Sequence, residues 1–324
     1  MKQRIKEIDY LKCTFILLMI VFHLVYIGDK YPYAKQLVYT FHMPAFLIIS
    51  GYLMNINKSL RAFLHTMVWI FIPYAIMESG YIVMSAILPV RERVEELSFG
   101  IWIEKLLLHP LGPYWYLHTL MVCGITYFAV DRLTRKSRDP LVLPIILSLI
   151  YAAESMRLDI VSLPNALYFA MGCVMQRYGL RFTSFFRPSV WSVIPFTILA
   201  CFPENLNKSV PGGIAITYLA VSLTLTLFRF LPARMKTICA YIGSHTLVLL
   251  IFSPVFTITV KPLAGMFGFD PSGILFLFTA LAITVTGCFA LAWVIDRLHL
   301  SPFFWGKKTM LQPFPGQNDK LTEK

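Results

Sequence analysis

Charge is what this sequence has least of. Only 14% of its 324 residues are Asp, Glu, Lys or Arg, where an ordinary soluble domain carries about a quarter. Apolar residues make up 57%, and the mean hydropathy is +0.66. A soluble globule of this length has too little interior to hide that much apolar surface. Disordered, collagen-like and nucleic-acid-binding classes fall for the same reason, and the chain reads as an integral membrane protein.

Acid is scarcer still. Asp and Glu number 17 against 29 Lys and Arg, a net charge of +12, and in a membrane protein such an excess reports cytoplasmic loops rather than a nucleic-acid partner. The six cysteines show no CxxC spacing. Cys13, Cys123, Cys173, Cys201, Cys239 and Cys288 fall in or beside apolar runs and read as small apolar fillers rather than disulfides or metal ligands. No small-residue cleavage site follows the run from Cys13 to Ile27, and Asp9 and Lys12 press into it. The N-terminus therefore reads as a retained first helix. No soluble domain, internal repeat or Ser-His-Asp spacing is visible.

What the chain has instead is a series of apolar stretches near the length of about 20 residues needed to span a bilayer. They cover 10–28, 36–56, 62–88, 113–131, 140–153, 160–176, 189–203, 212–231, 238–260 and 272–296. The fifth and seventh are short and contain Pro144 and Pro195. With the N-terminus placed inside, most basic residues fall on inner segments: Lys2, Arg4, Lys6 and Lys12; Lys58 and Arg61; Arg132, Arg135, Lys136 and Arg138; Arg177, Arg181 and Arg187; Arg229, Arg234 and Lys236; then Arg297, Lys307, Lys308, Lys320 and Lys324. A missing span would scramble that alternation. The expected fold is an all-α bundle of about ten transmembrane helices with both termini cytoplasmic. Residues 1–306 form the membrane domain and 307–324 a polar, frayed tail. The outer loop 89–112, with Arg91-Glu92-Arg93, reads as a solvated amphipathic segment.

Ionisable groups at membrane depth are costly, and each is a functional candidate. Lys12 and His23 are eleven residues apart, about three helical turns, so they share one face with His23 about 16 Å further along. That puts His23 near mid-membrane, and Asp9 is within reach of Lys12 on the same stripe. A hydrogen-bonded interhelical histidine is the plain alternative for His23, and anchoring the alternative for Lys12 and Asp9. His42 enters the second helix from the outer side, about 9 Å deep if that span starts at Gln36. Pro44 and Ser50-Gly51 follow it, the latter permitting close helix approach. Trp115 and His118 open the fourth span, where an interfacial aromatic belt is the plain reading and substrate contact the other. Lys58, Arg61 and His65 form a basic cluster suited to lipid headgroups or to a phosphate-bearing cofactor from the cytoplasm. His245, after Gly243-Ser244, reads equally as a helix-start residue in water.

The pattern resembles the acyltransferase-3 family of bacterial membrane O-acyltransferases, particularly its sugar O-acetylase-like branch. The stretch from Arg4 to His23 contains a basic residue, ten spacers and a histidine, with Asp9 ahead. Phe41-His42-Met43-Pro44-Ala45-Phe46 through Ser50-Gly51-Tyr52-Leu53 looks like the family's second-helix signature. Ile72-Pro73-Tyr74, Tyr114-Trp115-Tyr116-Leu117 and Tyr241-Ile242-Gly243-Ser244 recur in similar order. Two features depart from it. Leu64-His65-Thr66-Met67 stands where closely spaced basic residues often occur, and Phe252-Ser253-Pro254 where a late helix often ends in His.

The resemblance implies transfer of an acyl group, acetyl first among them, from acetyl-CoA or another acyl-CoA to a hydroxyl of a sugar, polysaccharide or cell-envelope glycan precursor. In that reading His23 is the general base, and His42 binds the acceptor or stabilises the oxyanion. Lys12, Lys58 and Arg61 meet the phosphates of the acyl-CoA, while Asp9, Trp115 and His118 are substrate-binding candidates. No metal and no nucleic acid are expected. Membrane lipid and a polysaccharide-synthesis apparatus are the expected partners, and the bacterial inner membrane is the location. The competing class is a transporter or flippase of a lipid-linked sugar, which intramembrane histidines and broken helices also suit. A scaffold without chemistry leaves the Lys12–His23 stripe unexplained.

Overall fold

A computed structural model describes residues 5–87, 94–137 and 139–314. Lys2, Arg4, the Arg91–Arg93 run, Arg138 and the tail from 315 onward lie outside the described residues. Every regular element among the described residues is helical. In chain order they are α1 (Lys6–His23), α2 (Val25–Lys30), α3 (Pro32–Leu53), α4 (Leu60–Ile87) and α5 (Phe99–Leu107). Then come α6 (Trp115–Thr134), α7 (Val142–Met156), α8 (Leu163–Arg177), α9 (Phe182–Phe185) and α10 (Val193–Ala200). The series ends with α11 (Pro211–Phe230), α12 (Ala233–Ser244), α13 (Thr246–Thr259), α14 (Ile274–Arg297) and α15 (Ser301–Trp305).

By length and composition, α4, α11 and α14 are each able to cross a membrane, and α12 with α13 makes a fourth span if the bent pair is counted as one. Three expected spans take a different form. The first stops at His23, where Leu24 turns extended at φ −68° and ψ 103° before α2 resumes. The seventh is short: after a 3-10 turn at Val190–Ser192, α10 has 8 residues, only about 12 Å of rise. The ninth is bent by 77° between α12 and α13.

The chain divides into two compact units. The first comprises residues 1–46, 183–302 and 307–324. Within it α1 packs most closely on α12, and also meets α11, α13 and α14. Gly243 makes the α1–α12 approach possible, because a Cβ there would stand 1.8 Å from the Asp9 carbonyl oxygen. The break at Leu24 has a packing cause. Leu24 and Ile27 are buried in a cluster with Val260, Phe276 and Ala280, and a straight continuation of α1 would carry them out of that apolar contact.

The described part of the tail is strapped down rather than frayed. The Asp296 carboxylate accepts from the Ser301 hydroxyl, from the Met310 N–H at 2.7 Å and from the Leu311 N–H at 3.0 Å. The Gln312 N–H donates to His245 Nε2 at 3.0 Å, and Phe314 lies 5.1 Å from the Tyr241 ring. Residue 245 is thus the hinge between α12 and α13. Its Nδ1–H reaches the Tyr241 carbonyl at 2.7 Å while its Nε2 holds the strap.

The second unit comprises residues 47–182 and 303–306. Here α6, α7 and α8 pack together, with α4 and α5 against α6 and α4 respectively. The close approach permitted by Ser50-Gly51 occurs against α8. A Cβ on Gly51 would lie 2.1 Å from the Phe169 carbonyl oxygen, and one on Gly172 2.0 Å from that of Ile48. The expected amphipathic outer segment contains α5, whose Ser98 caps it by accepting the Ile101 N–H at 3.2 Å. On the neighbouring helix α4, Glu78 accepts the Leu111 N–H at 2.6 Å and Tyr74 donates to the Leu106 carbonyl at 2.7 Å. The six cysteines are free thiols.

Candidate functional site

The first unit brings His23 and His42 to a common aromatic neighbour. Tyr39 lies between them, its ring centroid 5.9 Å from that of His23 and 5.2 Å from that of His42. Its hydroxyl donates to the Phe22 carbonyl at 3.2 Å. Because α1 ends at His23, its last carbonyls lack the following helical turn, and Tyr39 supplies a donor to one of them.

Each histidine is oriented by its own helix. His23 Nδ1 is 2.7 Å from the Met19 carbonyl, and His42 Nδ1 is 2.7 Å from that of Val38. A carbonyl accepts only, so in the neutral imidazole the proton belongs on Nδ1 and the lone pair on Nε2. The two rings differ in surroundings. His23 is solvent-accessible at the end of α1. His42 is 2% exposed, and its Nε2 has no hydrogen-bond partner among the described residues.

The second histidine lies further along its helix than the sequence reading set it. α3 begins at Pro32, four residues before Gln36, which puts His42 about 15 Å along it rather than about 9 Å. Pro44 does not break α3, but it has no N–H to offer the carbonyl four residues back. That carbonyl, on Thr40, accepts instead from Thr217 Oγ1 at 3.3 Å, tying α3 to α11.

At the opposite end of α1, Lys12 Nζ pairs with Asp9 at 3.0 Å, an i,i+3 contact with both side chains largely buried. Lys12 therefore already has a counter-ion, and a phosphate arriving there would have to share it. The remaining sequence candidates belong to the second unit. Lys58 Nζ donates to Thr66 Oγ1 at 2.7 Å, and its backbone carbonyl accepts from Arg132 at 3.1 Å. Arg61 is exposed, as is His65, whose Nε2 accepts from the Trp69 indole at 3.0 Å. His118 is buried, and its Nε2 lies 2.8 Å from the Leu107 carbonyl. That bond ties α6 to the end of α5. Trp115 is half-buried at the start of α6, its ring 6.3 Å from that of Tyr116.

Two polar residues at the histidine pair escaped sequence reasoning: Tyr39 and Lys35. Tyr39 carries a local signal, since it lies three residues before His42 and so on the same helical face. Lys35, four residues before Tyr39 on α3, lies over the Tyr39 ring at 5.9 Å.

No curated protein and no solved structure matches the chain. The acyltransferase-3 family, described as an acyltransferase domain, matches residues 5–293. That match covers nearly the whole chain, including both histidines, the broken first helix and the bent α12–α13 pair. This membrane protein belongs to the acyltransferase-3 family.

Proposed function

We propose that this chain is a membrane O-acyltransferase that moves an acyl group, acetyl being the first to test, from acyl-CoA to a hydroxyl of a sugar or cell-envelope glycan precursor. The observation that carries the proposal is the pair of equally oriented imidazoles flanking Tyr39, inside a chain whose family is that of acyltransferases.

A hydroxyl is a weak nucleophile at neutral pH, and an imidazole lone pair is suited to remove its proton as the oxygen attacks. His23 Nε2 is the base in this reading. It takes the hydroxyl proton while the new oxygen–carbon bond forms at the thioester carbonyl. It then returns the proton to the departing sulfur as the carbon–sulfur bond breaks, giving an ester and a free thiol. His42 presents a lone pair rather than an N–H to the same space, which favours holding the acceptor hydroxyl over stabilising an oxyanion. Lys12, with Lys58 and Arg61, is assigned to the acyl-CoA phosphates. The basic inner segments support a cytoplasmic location for both termini and a bacterial inner-membrane protein. The carrier alternative shares the broken helices, but it offers no use for an acyltransferase domain.

Membranes containing the protein, supplied with radiolabelled acetyl-CoA and a panel of glycans, test this directly. His23→Ala should abolish labelling while expression and insertion persist. Near-normal turnover in that variant removes His23 from the mechanism.

A further inference from the structure

In the second unit His109 stands between two carboxylates that come from different parts of the chain. Glu104, on α5, accepts the His109 backbone N–H with its carbonyl at 3.1 Å, and its carboxylate lies 3.1 Å from His109 Nδ1. Asp159, in the connection between α7 and α8, places an oxygen 3.7 Å from the other ring nitrogen, Nε2. Both segments fall on the outer side in the topology that the basic residues support.

Each side of this contact is held by its own backbone. The segment that carries His109 is fixed to α4 by the bonds of Leu106 to Tyr74 and Leu111 to Glu78, and to α6 by that of Leu107 to His118. Asp159 has φ 51°, a left-handed conformation that Asp tolerates better than most side chains. The Ile160 N–H donates to the Glu154 carbonyl at 3.2 Å and closes the turn around it.

The chemistry of the ring then depends on its protonation. A carboxylate accepts only, so the neutral imidazole carries its proton on Nδ1, toward Glu104, and its Nε2 lone pair faces Asp159. Two acceptors make no bond, and Nε2, shielded from solvent, has no hydrogen-bond partner among the described residues. Protonation turns Nε2 into a donor beside a carboxylate. The other charged or titratable neighbours are Lys105, whose Nζ is 3.3 Å from Glu104, and His118 on α6. Hydrogen bonds from His109 and then Lys105 hold the Glu104 carboxyl below the usual carboxylate range, so it accepts from Nδ1 in either state of the ring.

We propose that His109 is a pH-operated clip: as the outer medium acidifies, its protonated Nε2 bonds Asp159 and ties the segment between α5 and α6 to the connection between α7 and α8. The tie is complete below the ordinary histidine value of about 6.5 and is released as pH rises through it. The clip is independent of the acyl-transfer reading, because neither segment carries a residue assigned to that chemistry.

Asp159 has 90% of its side chain exposed, and a surface pair contributes little to global stability, so the readout must be local. Hydrogen–deuterium exchange of residues 157–162 is measured on the purified full chain in detergent at about pH 5.5 and about pH 8, on either side of the histidine range, and corrected for intrinsic exchange. Protection should be about threefold greater at the acidic pH. H109Q cannot titrate, and in D159N the amide can donate to the neutral ring or accept from the protonated one. Protection in both variants should therefore be the same at the two pH values. Unfolding midpoints show that each variant is folded. Equal protection of the unaltered chain at the two pH values, or an acid-dependent gain that survives in H109Q or D159N, overturns the proposal.

Discussion

The Tyr39 hydroxyl donates to the Phe22 carbonyl over 3.2 Å, joining α3 to the residue before the histidine at which α1 stops. It fixes the broken end of one helix with a side chain of another, and its ring touches both imidazoles. Tyr39→Phe keeps the ring and removes the bond, which is worth about 1 kcal/mol. A fall in kcat of about fivefold is expected, with the unfolding midpoint lowered by only about 2 to 4 °C. Steady-state kinetics beside a melting curve checks both, and an unchanged kcat removes Tyr39 from the positioning of His23.

His42 offers an acceptor atom, and substitutions should rank by whether they keep one. His42→Phe should raise the acceptor KM by about tenfold or more. His42→Gln, whose amide oxygen also accepts, should be milder. Equal effects from the two variants would show that volume, not the lone pair, is what matters at this position.

Two glycines separate close packing from open surface. A Cβ at Gly172 would lie 2.0 Å from the Ile48 carbonyl oxygen, while one at Gly80 meets nothing within 4 Å. Gly172→Ala should destabilise by about 2 kcal/mol or more through forced backbone movement. Gly80→Ala, inside α4, should be neutral or stabilising by up to about 1 kcal/mol. Paired denaturation curves distinguish them.

Asp296 gathers the strap. Asp296→Ala would strand the Met310 and Leu311 N–H groups and the Ser301 hydroxyl together. A loss of about 2 to 4 kcal/mol is expected, read as a lower midpoint and faster proteolysis after residue 306. A chain ending at Gly306 should also melt at a reduced temperature, because it loses the Met310 and Leu311 bonds to Asp296 and the Gln312 bond to His245.

Much was legible without coordinates, because it follows from composition and periodicity. The apolar excess demanded a helical membrane protein, and the Lys12–His23 spacing with the His42 signature identified the family. The ion pair of Asp9 with Lys12 followed from three-residue helical spacing. Other features were not legible because their causes lie far along the chain. No proline or glycine marks the stop at His23, for Leu24 is drawn inward by Val260, Phe276 and Ala280. The bend at His245 is held partly by Gln312, and a polar tail gives no local sign of docking. The bond of His118 Nε2 to the Leu107 carbonyl likewise had no sign in the spacing of the Trp115–His118 stretch.

The sequence alone determined the solvent this protein lives in, since too few charges and too many apolar residues leave a bilayer as the only stable surroundings. It also determined which titratable residues fall within apolar runs. Tertiary structure decided where helices break and which groups converge. A broken helix is stable only when other segments supply its lost hydrogen bonds and apolar contacts, and those partners, Tyr39 and Phe276 among them, are brought together only by folding.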